Sequence, residues 1–133
     1  MKTKRNTKIY AFIVLLTSLI AIYYLISLFE CNSWMKAFPI QCKKVFDNEQ
    51  DIFQRIKQVQ NNTTAPHCYF FGFKRTITIE YQEENINILS YCKIHRVGAL
   101  VIIDKNGNLA SGFRIYNNKK ELKFDFIGNQ WKR

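Results

Sequence analysis

The chain has 133 residues, 47% of them hydrophobic and 15% aromatic, with 20 Lys and Arg against 10 Asp and Glu. That length holds one domain at most, the apolar content excludes a disordered chain, and five Gly with two Pro exclude a fibrous one. The average hides a division, because Ile9 to Phe29 contains no charge, no Gly and no Pro, and without it the remainder is an ordinary polar domain.

Residues 1–8 form a basic tail, with Lys2, Lys4, Arg5 and Lys8 and no acid. As a helix, the following stretch to Phe29 reaches about 31 Å at about 1.5 Å per residue, which matches a hydrocarbon core of about 30 Å. The hydroxyls of Thr17, Ser18 and Ser27 can bond back to their own helix. Tyr10 lies at one end, where headgroup-level rings are expected, and Tyr23 and Tyr24 should face a partner or the outer interface. A cleaved signal is shorter and ends in small residues, whereas this run leaves through Ser27, Leu28, Phe29 and Glu30. Cleavage after Ala21 would need a small residue at Leu19, and lipid attachment at Cys31 would need one at Glu30. The run therefore reads as an uncleaved single-pass anchor in the inner (plasma) membrane. Four cations precede it, Glu30 comes directly after it, and only Lys36 follows within ten positions. This predicts a cytoplasmic N-terminus and a periplasmic or extracellular C-terminal part.

Residues 30–42 read as a juxtamembrane segment in which Ser33 caps a short turn that Pro39 stops. Trp34 and Phe38 suit either the lipid headgroups or the base of the domain.

Cys31, Cys42, Cys68 and Cys92 all follow the apolar run, and an even count on the exported side predicts two disulfides. Closing a loop of 15 or more residues contributes about 3 kcal/mol, which matters for a small core. The most local pairing joins Cys31 to Cys42 and Cys68 to Cys92. However, a single strand over 68–82 that turns at Glu83–Glu84 puts Cys92 opposite Arg75, some 23 Å from Cys68 at about 3.3 Å per residue. A disulfide closes only about 7 Å between Cα atoms, so either the strand bends at Gly72 or the pairing differs. His67, Cys68, Cys92 and His95 match no recurring zinc spacing, so neither a metal nor a cofactor is expected.

The exported domain, residues 43–133, begins with an amphipathic helix over about Lys43 to Gln60, with Val45, Phe46, Ile52, Phe53, Ile56 and Val59 on one face and Asn61 and Asn62 ending it. The period then becomes two. Tyr69, Phe71, Phe73, Ile77, Ile79 and Tyr81 alternate with Phe70, Gly72, Lys74, Thr76, Thr78, Glu80 and Gln82 in a first strand, with Arg75 the one interruption on the apolar side, and Ile86, Ile88, Ser90 and Cys92 share one side of the second. Ala99 to Asp104 is a third strand, Asn106-Gly107 is a hairpin signal, and Leu109 to Tyr116 returns from it. A turn over Asn117 to Lys120 leads to a last strand bearing Leu122, Phe124 and Phe126. The fold class is α+β, with one helix packed on an antiparallel meander of about five strands.

Residues 93–133 carry nine basic side chains against Asp104, Glu121 and Asp125, so the exported charge excess is confined there. Lys93, Arg96, Lys105, Arg114, Lys119, Lys120 and Lys123 are the candidate partner surface, and the alternative is an edge strand and turns bearing ordinary solvated charge. Outside the membrane, nucleic acid does not fit as a partner, whereas an anionic lipid surface, a cell-wall polymer or an acidic protein does. No nucleophile–base pair or cofactor loop is visible, so no enzyme is expected.

The layout of one span followed by a cysteine-bearing α+β domain resembles that of periplasmic immunity proteins, in architecture and through no shared motif. The resemblance implies a module that binds a toxin or another envelope protein. The alternative is a regulatory or structural subunit of a membrane sensor, secretion or pilus assembly, with Thr17, Ser18, Tyr23 and Tyr24 lining a contact with another helix. Type IV pilins also join a long helix to a sheet, but the chain lacks their processing motif.

Overall fold

A computed structural model describes residues 2–48, 51–62 and 75–133. The first helix, α1, runs from Lys2–Asn48 and α2 covers Ile52–Asn62. Six strands follow among the described residues: β1 (Arg75–Tyr81), β2 (Asn85–Cys92), β3 (Val97–Asp104), β4 (Leu109–Tyr116), β5 (Lys119–Asp125) and β6 (Gln130–Lys132). They pair in sequence order into one antiparallel meander. The α+β meander expected from the alternation is present, with β6 as an additional short strand. The first part of the expected first strand, 68–74, lies outside the described residues.

The lower and upper parts of α1 live in different surroundings. Apolar side chains point outward all round residues 9–26, among them Phe12 (64% exposed), Val14 (63%) and Leu25 (61%). A helix that is apolar on every side suits hydrocarbon rather than water. This helix is long and apolar enough to cross a membrane. Further along, Cys31, Trp34, Met35, Phe38, Cys42 and Phe46 recur every three or four residues and are all buried. That stripe lies mainly on β3, with β2 and β4 on either side.

The stripe corrects the reading of residues 30–42. No connector separates span from domain, and Pro39 lies inside an unbroken helix although proline there costs about 3 kcal/mol. Burial of Phe38 and Met35, neither with any exposed surface, offsets that cost, because a large apolar side chain contributes about 1.5–3 kcal/mol each. Trp34 and Phe38 accordingly belong to the core and not to the headgroup layer. The amphipathic helix expected over 43–60 is divided, and a second helix starts after Asp51. The Asp51 carboxylate accepts a hydrogen bond from Phe53 N at 2.9 Å, and its carbonyl accepts one from Arg55 N at 3.0 Å. Ile56 and Val59 of α2 join the core, whereas Phe53, expected on the same face, is 63% exposed.

Register follows the side-chain pattern. Cys92 does lie opposite Arg75, and Glu83–Glu84 form the turn, with Gln82 and Asn85 exchanging backbone hydrogen bonds of 2.9 and 3.2 Å. Ile86, Ile88, Ser90 and Cys92 are all buried, facing α1. The Asn106-Gly107 hairpin forms, but only Gly107 takes positive φ (83°). Asp104 organises it, its carboxylate accepting from Asn106 N (2.9 Å) and Asn108 N (2.8 Å). The two-residue turn with both φ positive is instead Asn117–Asn118, at 47° and 62°.

Candidate functional site

Among the described residues, polar ties hold α1 to the sheet and fix its direction. Ser27 Oγ and His95 Nε2 share a buried hydrogen bond of 2.9 Å. Arg114 Nη2 donates to Asn32 Oδ1 at 2.6 Å, Trp34 Nε1 donates to Ser90 Oγ at 3.0 Å, and Lys43 Nζ donates to the Phe126 carbonyl at 3.1 Å. His95 lies two residues before the start of β3. Gly107, just beyond the end of β3, lies against Ile52 and Arg55 of α2. Helix α1 and strand β3 therefore run the same way. The β2–β3 and β4–β5 turns sit at the end of the sheet nearest the apolar run, and the β1–β2, β3–β4 and β5–β6 turns sit at the far end.

This arrangement disperses the seven cations expected to form one partner surface. Lys93 and Arg96 are exposed in the β2–β3 turn, with Lys119 and Lys120 at the start of β5 nearby. Asn117 N donates to the Arg96 carbonyl at 3.0 Å and so joins these two turns. Lys105 is at the opposite end of the sheet, in the β3–β4 turn. Arg114 faces α1 through Asn32 and is a strut of the core. Lys123 stands on the other face, opposite Lys132.

That other face carries no described helix. Across it run Leu89, Leu100, Phe113, Lys123 and Lys132 in register, flanked by Ile102 and Ile115. The apolar members are half-buried. Lys120 Nζ lies 4.7 Å from the centroid of the Phe113 ring, a cation–π contact that borders the patch with positive charge. Tyr91 closes the row nearest the apolar run, its hydroxyl donating to Asn118 Oδ1 at 2.9 Å. It lies flat over Gly98, where an added Cβ would stand 2.5 Å from the ring.

At the far end, a pocket of ≈ 420 Å³ opens between β4, β5 and β6, lined by Leu109, Lys123, Phe126, Ile127 and Lys132 among others. Lys132 and Asp125 form an ion pair of 2.6 Å there. That lysine, and then the backbone N–H groups of Gly128 and Ile127, hold the Asp125 carboxyl below its ordinary range. The pair is self-satisfied, and Lys123 is the remaining cation at the rim.

Cysteine chemistry departs from two disulfides. Cys31 is buried and disulfide-bonded, but Cys42 and Cys92 keep their thiols, both buried. Pairing with β1 fixes Cys92 opposite Arg75. Burial pushes the Cys42 thiol far above its ordinary range, which leaves it inert as a nucleophile. His67 and Cys68 lie outside the described residues, and among the described residues no group of three His, Cys, Asp or Glu is placed to hold a metal ion.

The Ser27–His95 pair was not foreseen, since 68 positions separate its members. Ser27 has no exposed surface and His95 is 5% exposed, so the pair is a structural tie closed to substrate. Tyr24 packs against the same imidazole in a tilted contact, 4.6 Å between centroids, and therefore turns toward its own sheet. Thr17 and Ser18 donate to carbonyls of their own helix, at 2.9 Å to Ile13 and 2.7 Å to Val14, as their position in an apolar run suggests. No protein-family model, no curated protein and no solved structure matches this chain.

Proposed function

We propose that the chain is a protein-binding module tethered to the inner membrane by α1. In this reading the N-terminus is cytoplasmic and the sheet stands in the periplasm or outside the cell. The four cations before Ile9 and the scarcity of cations after Phe29 support that orientation. The sheet face that no described helix covers is the binding surface: Leu89, Leu100, Ile102, Phe113 and Ile115 form an apolar centre, with Lys120, Lys123 and Lys132 along one side. Such a face suits an envelope protein that presents an apolar surface bordered by carboxylates. The observation that carries the reading is this contiguous apolar face, which the described helices leave open while covering its opposite side.

The subunit reading, in which the span recognises another helix, draws less support. Thr17 and Ser18 bond to their own backbone, and Tyr24 is occupied by His95. A photoreactive side chain placed at Ile102 or Phe113 of the full chain in cells tests the proposal. The expected product is one heterologous polypeptide cross-linked from both positions and absent from a probe at Lys105. Products of twice the chain's own mass, or none above the Lys105 background, would overturn it.

A further inference from the structure

The end of the sheet nearest the apolar run carries a second surface, distinct from the open face. Ser27 lies two residues before Phe29, which is about 3 Å along a helix. Its hydrogen bond to His95 therefore sets the β2–β3 turn level with the last turn of the apolar run. The Tyr24–His95 contact fixes the same level independently. Next to His95 the turn exposes Ile94 (49%), flanked by the exposed cations Lys93 and Arg96. The Asn117–Arg96 hydrogen bond brings the β4–β5 turn, followed by Lys119, to the same level. Arg96 adopts positive φ (52°), a conformation costly for a side chain with a Cβ, and it holds the guanidinium-bearing residue at the tip. An apolar side chain between cations, at the height where hydrocarbon gives way to headgroups, has the composition of an interfacial contact.

We propose that this end of the sheet rests on the bilayer: Lys93, Arg96 and Lys119 bind the phosphates of anionic phospholipids, and Ile94 reaches the acyl boundary. The contact holds the sheet upright on its anchor, so that the open face points along the membrane plane toward neighbouring proteins. The inference rests on α1 spanning the membrane but not on any protein partner.

Hydrogen exchange of the full chain in lipid nanodiscs tests it, comparing discs with anionic lipid, discs of zwitterionic lipid only, and detergent micelles. The peptide covering the β2–β3 turn is expected to exchange more slowly in anionic discs, by about fivefold for each cation that reaches a phosphate. Lys93→Glu with Arg96→Glu should remove most of the difference, and Arg96→Gly, which keeps the turn in its favoured conformation, should reduce it by about fivefold. The β3–β4 turn, at the far end, should exchange alike in all three. Equal exchange of the β2–β3 turn in all media, with residues 9–26 protected, would overturn this proposal alone. Rapid exchange of residues 9–26 in discs would overturn the membrane anchor, and this proposal with it.

Discussion

The two faces of the sheet are built from the same kinds of residue but end in opposite conditions. On the covered face Val97, Ala99, Val101 and Ile103 have no exposed surface, because the upper half of α1 lies along β3. On the open face the alternate residues of the same strand, Leu100 and Ile102, are only half-buried, and Phe113 on β4 joins them. Strand alternation decides which side chains share a face, but only the helix decides which face becomes the core. The open face therefore retains apolar surface that the described helices do not cover.

Two phenylalanines sharpen that contrast. Phe38 on α1 has no exposed surface, and Phe38→Ala is expected to lower the unfolding free energy of the sheet domain by about 3–5 kcal/mol. Phe113→Ala removes a half-buried ring and its contact with Lys120, and is expected to cost about 1 kcal/mol. Urea unfolding of the full chain in micelles, followed by tryptophan fluorescence, measures both. Equal losses would mean that the open face is part of the core.

Much of this was legible in the sequence, and the misses have physical causes. Alternation located the strands, and the turns at Glu83–Glu84 and Asn117–Asn118 formed where the polar pairs stood, because strand and turn signals are local. Pro39 misled, since its local cost favoured a break, yet Cys31, Trp34, Met35, Phe38, Cys42 and Phe46 continue a helical stripe straight through it. That spacing was the signal available for reading α1 as one helix. The cations could not be placed by sequence, because whether a lysine or arginine stands on a turn, the open face or against α1 depends on strand parity and on a helix docked from elsewhere. Arg114, bound to Asn32, looks no different from Lys123 in the sequence. The Ser27–His95 tie had no local signal.

That tie gives the covered side a pH dependence. Burial lowers the pKa of His95 below its ordinary 6.5. Above pH 6.5 the imidazole is neutral in both states and the tie is intact. As pH falls below 6.5, the unfolded chain takes up a proton that the folded one resists, so stability declines until the folded pKa is passed. The neighbouring cations are Lys93 and Arg96 on the same turn, and Ser27 and Tyr24 face the ring from α1. His95→Asn should flatten the stability profile between pH 7 and 5 while costing about 1–2 kcal/mol at neutral pH. An unchanged slope in that variant would show that another group sets the profile over this range; the Asp125 carboxyl, held below its ordinary 3.8, gives up its contribution only at lower pH.

The smallest expected effect has the opposite sign and separates folding from membrane contact at one residue. Arg96 holds a left-handed conformation, which costs a residue with a Cβ about 1–2 kcal/mol. Glycine removes that strain but gives the unfolded chain more freedom, at about 0.4–1 kcal/mol. Arg96→Gly should therefore raise the stability of the sheet in micelles by about 0.5–1 kcal/mol. If Arg96 were there for the turn alone, glycine would be the better residue and the substitution would be silent in a bilayer. The same variant should instead exchange about fivefold faster at its turn in anionic discs. A gain in stability accompanied by loss of lipid protection would show that the strain is kept for the sake of the side chain's charge.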